Sequence, residues 1–139
     1  MLAMTAKHDI QQLEDVETLV HRFYETVQED VLLGPIFNER LDGKWDEHLA
    51  KMVRFWQTIL LHEHTYNGAP FPPHATMPIG ESHFDRWKSL FVKTVDTYFE
   101  GANAEEAKNR AQLMAHIFQT KIDYLQKNNL AETYVNPGN

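Results

Sequence analysis

His74 lies in the stiffest stretch of this sequence. Residues 69–78 read APFPPHATMP, with four prolines around one histidine. A metal ligand needs a neutral imidazole held at a defined angle, and a restricted backbone supplies part of that requirement. Prolines also lower the entropy of an unfolded loop, so a purely structural histidine is the alternative. Taken alone, such a histidine is more often structural than a ligand.

Three further residues place a polar group among apolar neighbours. Tyr24, His48 and Trp87 each fall on the apolar face of a predicted helix. Separately, each is more simply explained as a core residue whose polar tip finds one hydrogen-bond partner. Together with His74, they fit a flat apolar cofactor that carries a metal. Such a group requires an apolar cleft, one nitrogen ligand, and donors opposite that ligand.

Apolar residues at intervals of three and four predict four long helices, and no segment alternates as a strand would. Gly34 is expected to end the first helix in a left-handed turn, and Ser82 with Asp85 to form a capping box. Phe37 falls in a short corner, and a single turn could carry His74. The expected bounds are Asp15–Asp30, Asp42 to about Leu61, Ser82 to near Gly101, and Asn103 to Asn128.

Composition excludes several classes of function. The chain has 139 residues, a formal charge of −7 and no cysteine, which indicates one domain without disulfides, thiolate ligands or iron–sulfur clusters. An acidic chain without a basic tract is a poor candidate for nucleic acid or an anionic membrane. The opening MLAMTAKHDI lacks an apolar stretch long enough for a signal peptide, so we expect a cytoplasmic protein.

The motifs RFYE (22–25), LGPIFN (33–38) and WDEH (45–48) resemble those of the truncated haemoglobins. The further motifs FW (55–56), YNG (66–68), PPH (72–74) and FDRWKSLF (84–91) narrow the resemblance to the third group, found in bacteria. The resemblance covers residues 14 to 126. It implies an all-α, globin-like fold, a two-over-two sandwich of helices B, E, G and H. The expected domain core is 14–128, and 129–139 is expected to be a mobile tail.

The resemblance also implies a role for each candidate residue. His74 would be the proximal ligand to the iron of haem b (iron protoporphyrin IX), and Phe37 of the CD corner would pack on the haem. Tyr24, His48 and Trp87 would form the distal pocket. There His48 could donate to the ligand, gate entry to the pocket, or coordinate the iron itself in the ligand-free state. Met52 and Phe55 would pack against the cofactor. Lys51 and Arg54 could reach the haem propionates, although a solvated helix face explains both equally well.

These residue types suit the binding of diatomic gases. A tyrosine hydroxyl and an indole N–H both donate hydrogen bonds, which favours retention of dioxygen over transport. Nitric oxide, carbon monoxide and cyanide are the other expected ligands. The family suggests nitric oxide or peroxide detoxification with a reductase partner. A gas sensor or carrier without turnover, and a haem-free helical module, are the alternatives. His62 and His64 are expected to lie in a surface turn rather than bind a metal.

Overall fold

The structure, a computed structural model, describes residues 6–130 and is all-α, as predicted. Its only strand-like feature over that range is an isolated bridge between His8 and Phe99. A short 3₁₀ turn, Pro72–His74, carries the histidine of the proline-rich loop (residues 69–80). The predicted mobile tail beyond Leu130 lies outside the described residues. The helices are α1 (Leu13–Glu29), α2 (Gly34–Arg40), α3 (Trp45–Leu61), α4 (Glu81–Tyr98) and α5 (Ala102–Lys127).

The four long helices form two packed pairs. Helix α1 lies against α3, and α4 lies against α5, while α1–α4 and α3–α5 contacts join the pairs. This is the expected two-over-two sandwich. The predicted apolar face of α1 is buried throughout, with Val16, Leu19 and Val27 fully inaccessible to solvent. Over residues 6–130, none of the helices combines the length and apolarity needed to cross a membrane.

The turn between α1 and α2 differs from the prediction. Helix α1 ends at Glu29, and Gly34 begins α2 rather than adopting a left-handed turn. A Cβ atom at Gly34 would lie 2.7 Å from the carbonyl oxygen of Gln28, so glycine here permits close approach of the two helices. The predicted corner around Phe37 is accordingly helical, because Pro35 sits at the first turn of α2, where proline is tolerated.

Asp30 joins this turn to α4. Its side chain is almost wholly buried and accepts hydrogen bonds from the backbone N–H groups of Leu32 (3.1 Å) and Leu33 (2.9 Å). The guanidinium of Arg86, in α4, donates a third at 2.6 Å. Burial alone would raise the pKa of Asp30, but the hydrogen bonds from Leu33, Arg86 and Leu32 outweigh it and lower the pKa. The carboxylate therefore stays ionised and holds α1, α2 and α4 together.

The predicted helix caps on α3 and α4 are wrong. Lys44 rather than Asp42 precedes α3, and no side chain caps it. Gly80 precedes α4, and its N–H donates to Nδ1 of His83 at 3.0 Å, so His83 takes the place of the predicted Ser82–Asp85 box. Capping depends on which side chain rotates back onto the helix end, and helical spacing does not determine that.

Helix α5 receives its cap from the other end of the described chain. Gly101, not Asn103, is the cap residue, and the Asp9 carboxylate accepts the N–H groups of Asn103 (2.9 Å) and Ala104 (2.8 Å). These N–H groups have no partner within the helix, and a carboxylate at this end also opposes the helix dipole favourably. Asp9 thus fixes the segment before α1 onto α5.

Substituting Gly101 tests this junction. An added Cβ would lie 2.5 Å from Cγ of Asp9, and the backbone φ of +136° strains any other residue. We expect Gly101→Ala to lower the free energy of unfolding by about 1–3 kcal/mol, measured by urea denaturation.

Gly80 provides the matched control, because it also precedes a helix but has extended backbone and open space around it. Gly80→Ala should shift the denaturation midpoint far less than Gly101→Ala. Equal shifts for the two variants would contradict the role assigned to Asp9.

Candidate functional site

One cavity of about 730 Å³ lies between the helix pairs and the proline-rich loop. All seven predicted site residues line this cavity. Its size lies within the range of roughly 300–1,000 Å³ usual for small-molecule and cofactor sites. Further apolar walls come from residues that the sequence analysis did not select, namely Leu33, Trp56, Tyr66, Phe84, Met114 and Phe118. Trp56, Phe84, Met114 and Phe118 were missed because helical spacing marks them only as core, and Leu33 and Tyr66 because both fall in predicted turns.

His74 is fixed by the loop that carries it. Its backbone N–H donates to the carbonyl of Phe71 at 2.7 Å, and its Nδ1 lies 2.7 Å from the carbonyl oxygen of Pro70. A carbonyl only accepts, so Nδ1 carries the proton and Nε2 keeps its lone pair. Burial lowers the pKa of His74 even though these hydrogen bonds oppose the change. The neutral imidazole is the form that binds a metal.

Helix α5 holds the far end of the same loop. The side-chain amide of Gln126 donates to the carbonyl oxygens of Met77 (3.4 Å) and Ile79 (3.2 Å). The ring of Phe118, also in α5, lies 4.9 Å from the His74 ring. The loop is therefore anchored on both sides of His74.

Tyr24 and His48 meet at the cavity with their rings 5.0 Å apart and nearly perpendicular. Nε2 of His48 is buried and has no hydrogen-bond partner within residues 6–130. Burial lowers the pKa of His48 to about 4, and repulsion from Lys51, or from His74 if that ring were protonated, acts in the same direction, so the His48 imidazole is neutral near pH 7. Burial raises the pKa of Tyr24, which keeps its hydroxyl protonated.

Trp87 is the third residue, with Tyr24 and His48, that brings a polar side-chain group to the cavity lining. Its ring stacks on Phe91 at 5.5 Å and 11°, and Phe91 stacks in turn on Trp56 at 5.1 Å. The edge of Phe23 packs on the same indole at 5.4 Å. Tight aromatic packing therefore fixes the plane in which the Trp87 indole N–H points.

Three exposed cations line the cavity, and we call Arg40, Lys44 and Lys51 the cationic rim. Arg54 is not part of the lining, whereas His83 is. The sequence offered no reason to select His83 among the histidines. Its ring is held at the cavity by the hydrogen bond from the Gly80 N–H, which helical spacing does not predict. His62 and His64 are exposed, as predicted. Among residues 6–130, no three or more histidine or carboxylate side chains are grouped so that they could hold a metal ion.

The donor set fits a flat, apolar, metal-bearing group with acidic substituents. The apolar walls suit its faces, the Nε2 lone pair of His74 suits its metal, and the cationic rim suits its acids. The unpartnered Nε2 of His48 is a buried polar atom that lacks the hydrogen bond such atoms ordinarily have. A two-over-two helical sandwich enclosing such a cavity defines a globin.

Comparison with known proteins agrees with this fold and site. Residues 8–122 match the bacterial-like globin family. The group 3 truncated hemoglobin ctb of Campylobacter jejuni is 38% identical over 117 residues, covering 78% of this chain and 89% of the relative. The chain belongs to the bacterial-like globins, and within them to the group III truncated haemoglobins. Family membership implies haem binding and the binding of diatomic gases.

A solved structure supports the same assignment. The crystal structure of a group III truncated hemoglobin from Campylobacter jejuni superposes with a TM-score of 0.76 at 34% identity. The match covers 84% of this chain and 95% of that one. The predicted family and fold are thereby confirmed.

The unpartnered nitrogen of His48 gives a prediction about stability. Replacing His48 with Leu removes a buried polar atom, so we expect the free energy of unfolding to rise by about 1 kcal/mol near pH 8. The gain should grow at lower pH. The folded pKa of about 4 lies below the ordinary 6.5, so the unfolded parent takes up the proton first and loses stability between these values.

Urea denaturation at pH 8 and pH 5, at equal cofactor content, measures both effects. The exposed His21 of α1 serves as control, since His21→Leu should leave stability nearly unchanged. A His48→Leu variant less stable than the parent at both pH values would contradict the prediction.

Proposed function

We propose that this protein binds haem b through His74 and uses the opposite side of the cavity to bind a diatomic gas. The observation that carries the proposal is the contrast between the two imidazoles of the cavity. Pro70 fixes the tautomer of His74 and leaves its Nε2 as a ligand. His48 keeps a buried Nε2 without a partner beside the Tyr24 ring.

The other lining residues would hold the cofactor. Phe37, Met52 and Phe55 present apolar surface to the cavity and would pack on the faces of the porphyrin. The cationic rim would pair with its two propionates, which places its acidic edge toward solvent. Lys51 would then contact a propionate, one of the two alternatives that the sequence left open for it. Arg54 does not line the cavity, so it would lie on a solvated helix face.

Haem, when bound, would supply an iron atom able to bind dioxygen, nitric oxide, carbon monoxide or cyanide. Tyr24, His48 and Trp87 would act on that ligand by hydrogen bonding. The Tyr24 hydroxyl stays protonated because burial raises its pKa, and the Trp87 indole N–H is a permanent donor. Neutral His48 has one N–H and one lone pair, so it either donates or accepts.

A pocket with several donors favours retention of dioxygen, which suits redox chemistry on the gas better than its transport. We therefore propose detoxification of nitric oxide or peroxide, with electrons supplied by a reductase. Steady consumption of nitric oxide in the presence of a reductase would support an enzyme. Stable gas binding without turnover would instead support a carrier or sensor.

Replacing His74 with Ala tests the cofactor ligand. We expect the variant to retain much less haem than the parent, because it loses the Nε2 lone pair of His74 that the proposal assigns to the metal. The measurement is the Soret absorbance after haem titration, reduced and then exposed to carbon monoxide. His116→Ala, at an exposed position of α5, should leave the spectrum unchanged. A parent that stays colourless would favour a haem-free helical module.

Replacing Tyr24 with Phe tests the distal donor while keeping the ring. A hydrogen bond to a charged acceptor contributes about 1.5–3 kcal/mol, so dioxygen release should accelerate roughly ten- to a hundred-fold. Stopped-flow displacement of dioxygen by carbon monoxide measures that rate. Tyr98→Phe, at an exposed tyrosine of α4, is the control. An unchanged rate in Tyr24→Phe would remove Tyr24 from the donors.

A further inference from the structure

Three rings are in mutual edge-to-face contact at the side of the cavity opposite His74, where the gas is proposed to bind. We call Tyr24, Trp45 and His48 the ring triad. The Trp45 ring lies 5.9 Å from Tyr24 at 63° and 6.0 Å from His48 at 84°, and the other two rings are 5.0 Å apart. Edge-to-face pairs at these separations are attractive beyond the area that they bury.

Trp45 differs from its two partners in position. Tyr24 and His48 line the cavity, whereas Trp45 does not and is half-buried at the first residue of α3. His48 follows three residues later on the same helix face. Trp45 therefore contacts both cavity residues without itself lining the cavity.

The two cavity residues are not held by hydrogen bonds. Nε2 of His48 has no partner, and within residues 6–130 the Tyr24 hydroxyl makes no hydrogen bond, since burial alone shifts its pKa. Buried donors are usually oriented by a second hydrogen bond, as the Pro70 carbonyl orients His74. On the distal side, ring packing alone orients Tyr24 and His48. Within the ring triad, Trp45 contacts both of these rings and does not line the cavity.

We propose that Trp45 is a positioning residue that fixes the Tyr24 hydroxyl and the His48 imidazole toward the bound gas. The inference rests on the proposed function, since it assigns a role to Trp45 through those two side chains. A rigid indole blocks outward rotation of His48 and sideways movement of Tyr24. A smaller side chain would remove the one ring that both residues contact from outside the lining, leaving Tyr24 with ring contacts only to Phe23 (4.9 Å), Phe37 (6.4 Å) and His48 among residues 6–130.

The test uses the haem-loaded protein and its carbon monoxide complex. Hydrogen-bond donation to the gas lowers the C–O stretching frequency, so infrared spectra report the placement of the donors directly. We expect Trp45→Leu to raise or split the C–O band in the direction of Tyr24→Phe. Dioxygen release should accelerate on the order of three- to tenfold, as expected for partial loss of a hydrogen bond.

Matched variants separate positioning from general damage. Trp45→Phe keeps an aromatic ring and should restore most of the parent band, and Trp45→Met replaces the Leu variant if that one does not fold. Tyr98→Leu removes a half-exposed aromatic ring of α4 that lies outside the cavity lining, and it should change neither readout. In a Tyr24→Phe, His48→Leu background, Trp45→Leu should alter dioxygen release by less than about twofold, because both side chains through which it acts are gone.

The outcomes distinguish this inference from the proposed function. An unchanged band and rate in Trp45→Leu, alongside a clear effect of Tyr24→Phe, would overturn the role of Trp45 alone. An undiminished effect of Trp45→Leu in the double-variant background would overturn it as well, since Trp45 would then act through other groups. A parent without haem, or a Tyr24→Phe variant identical to the parent, would overturn both.

Discussion

The buried Asp30 carboxylate is the interaction on which the geometry of the cavity depends. It accepts hydrogen bonds from Leu32 and Leu33 where α1 ends, and from Arg86 of α4. Three helices that carry candidate residues (Tyr24 in α1, Phe37 in α2 and Trp87 in α4) therefore meet at one ionised group. Removal of Arg86 would leave the Asp30 carboxylate buried without its charged partner, and such a loss lowers the free energy of unfolding strongly.

Different kinds of interaction stabilise the two sides of the cavity. On the His74 side, prolines and hydrogen bonds to the carbonyls of Pro70, Met77 and Ile79 define the loop. On the His48 side, rings pack together and a polar nitrogen is left without a partner. The buried Nε2 of His48 lowers the free energy of unfolding, and functional sites commonly retain such destabilising groups because activity requires them. The fixed side suits a permanent ligand, and the less constrained side suits an exchangeable one.

Much of this architecture follows from the sequence. Helical periodicity predicted the four long helices, because burial of an apolar stripe dominates their packing. It also placed Tyr24, His48 and Trp87 on inward faces, and the resemblance assigned each a role. Periodicity did not predict the caps at Gly80 and Gly101, which depend on contacts between residues that spacing alone does not relate. The cationic rim and the lining position of His83 likewise depend on how the elements pack.

The cap on α5 has a consequence for synthesis of the chain. Asn103 donates to an Asp9 carboxylate that precedes it by 94 residues, so this bond forms only after the chain up to Asn103 has left the ribosome. A domain generally folds as a unit during synthesis, and contacts of such long range form late. Helix α5 also supplies Met114 and Phe118 to the cavity wall. The nascent chain therefore lacks a closed pocket until α5 docks, so cofactor insertion must follow the docking of that helix.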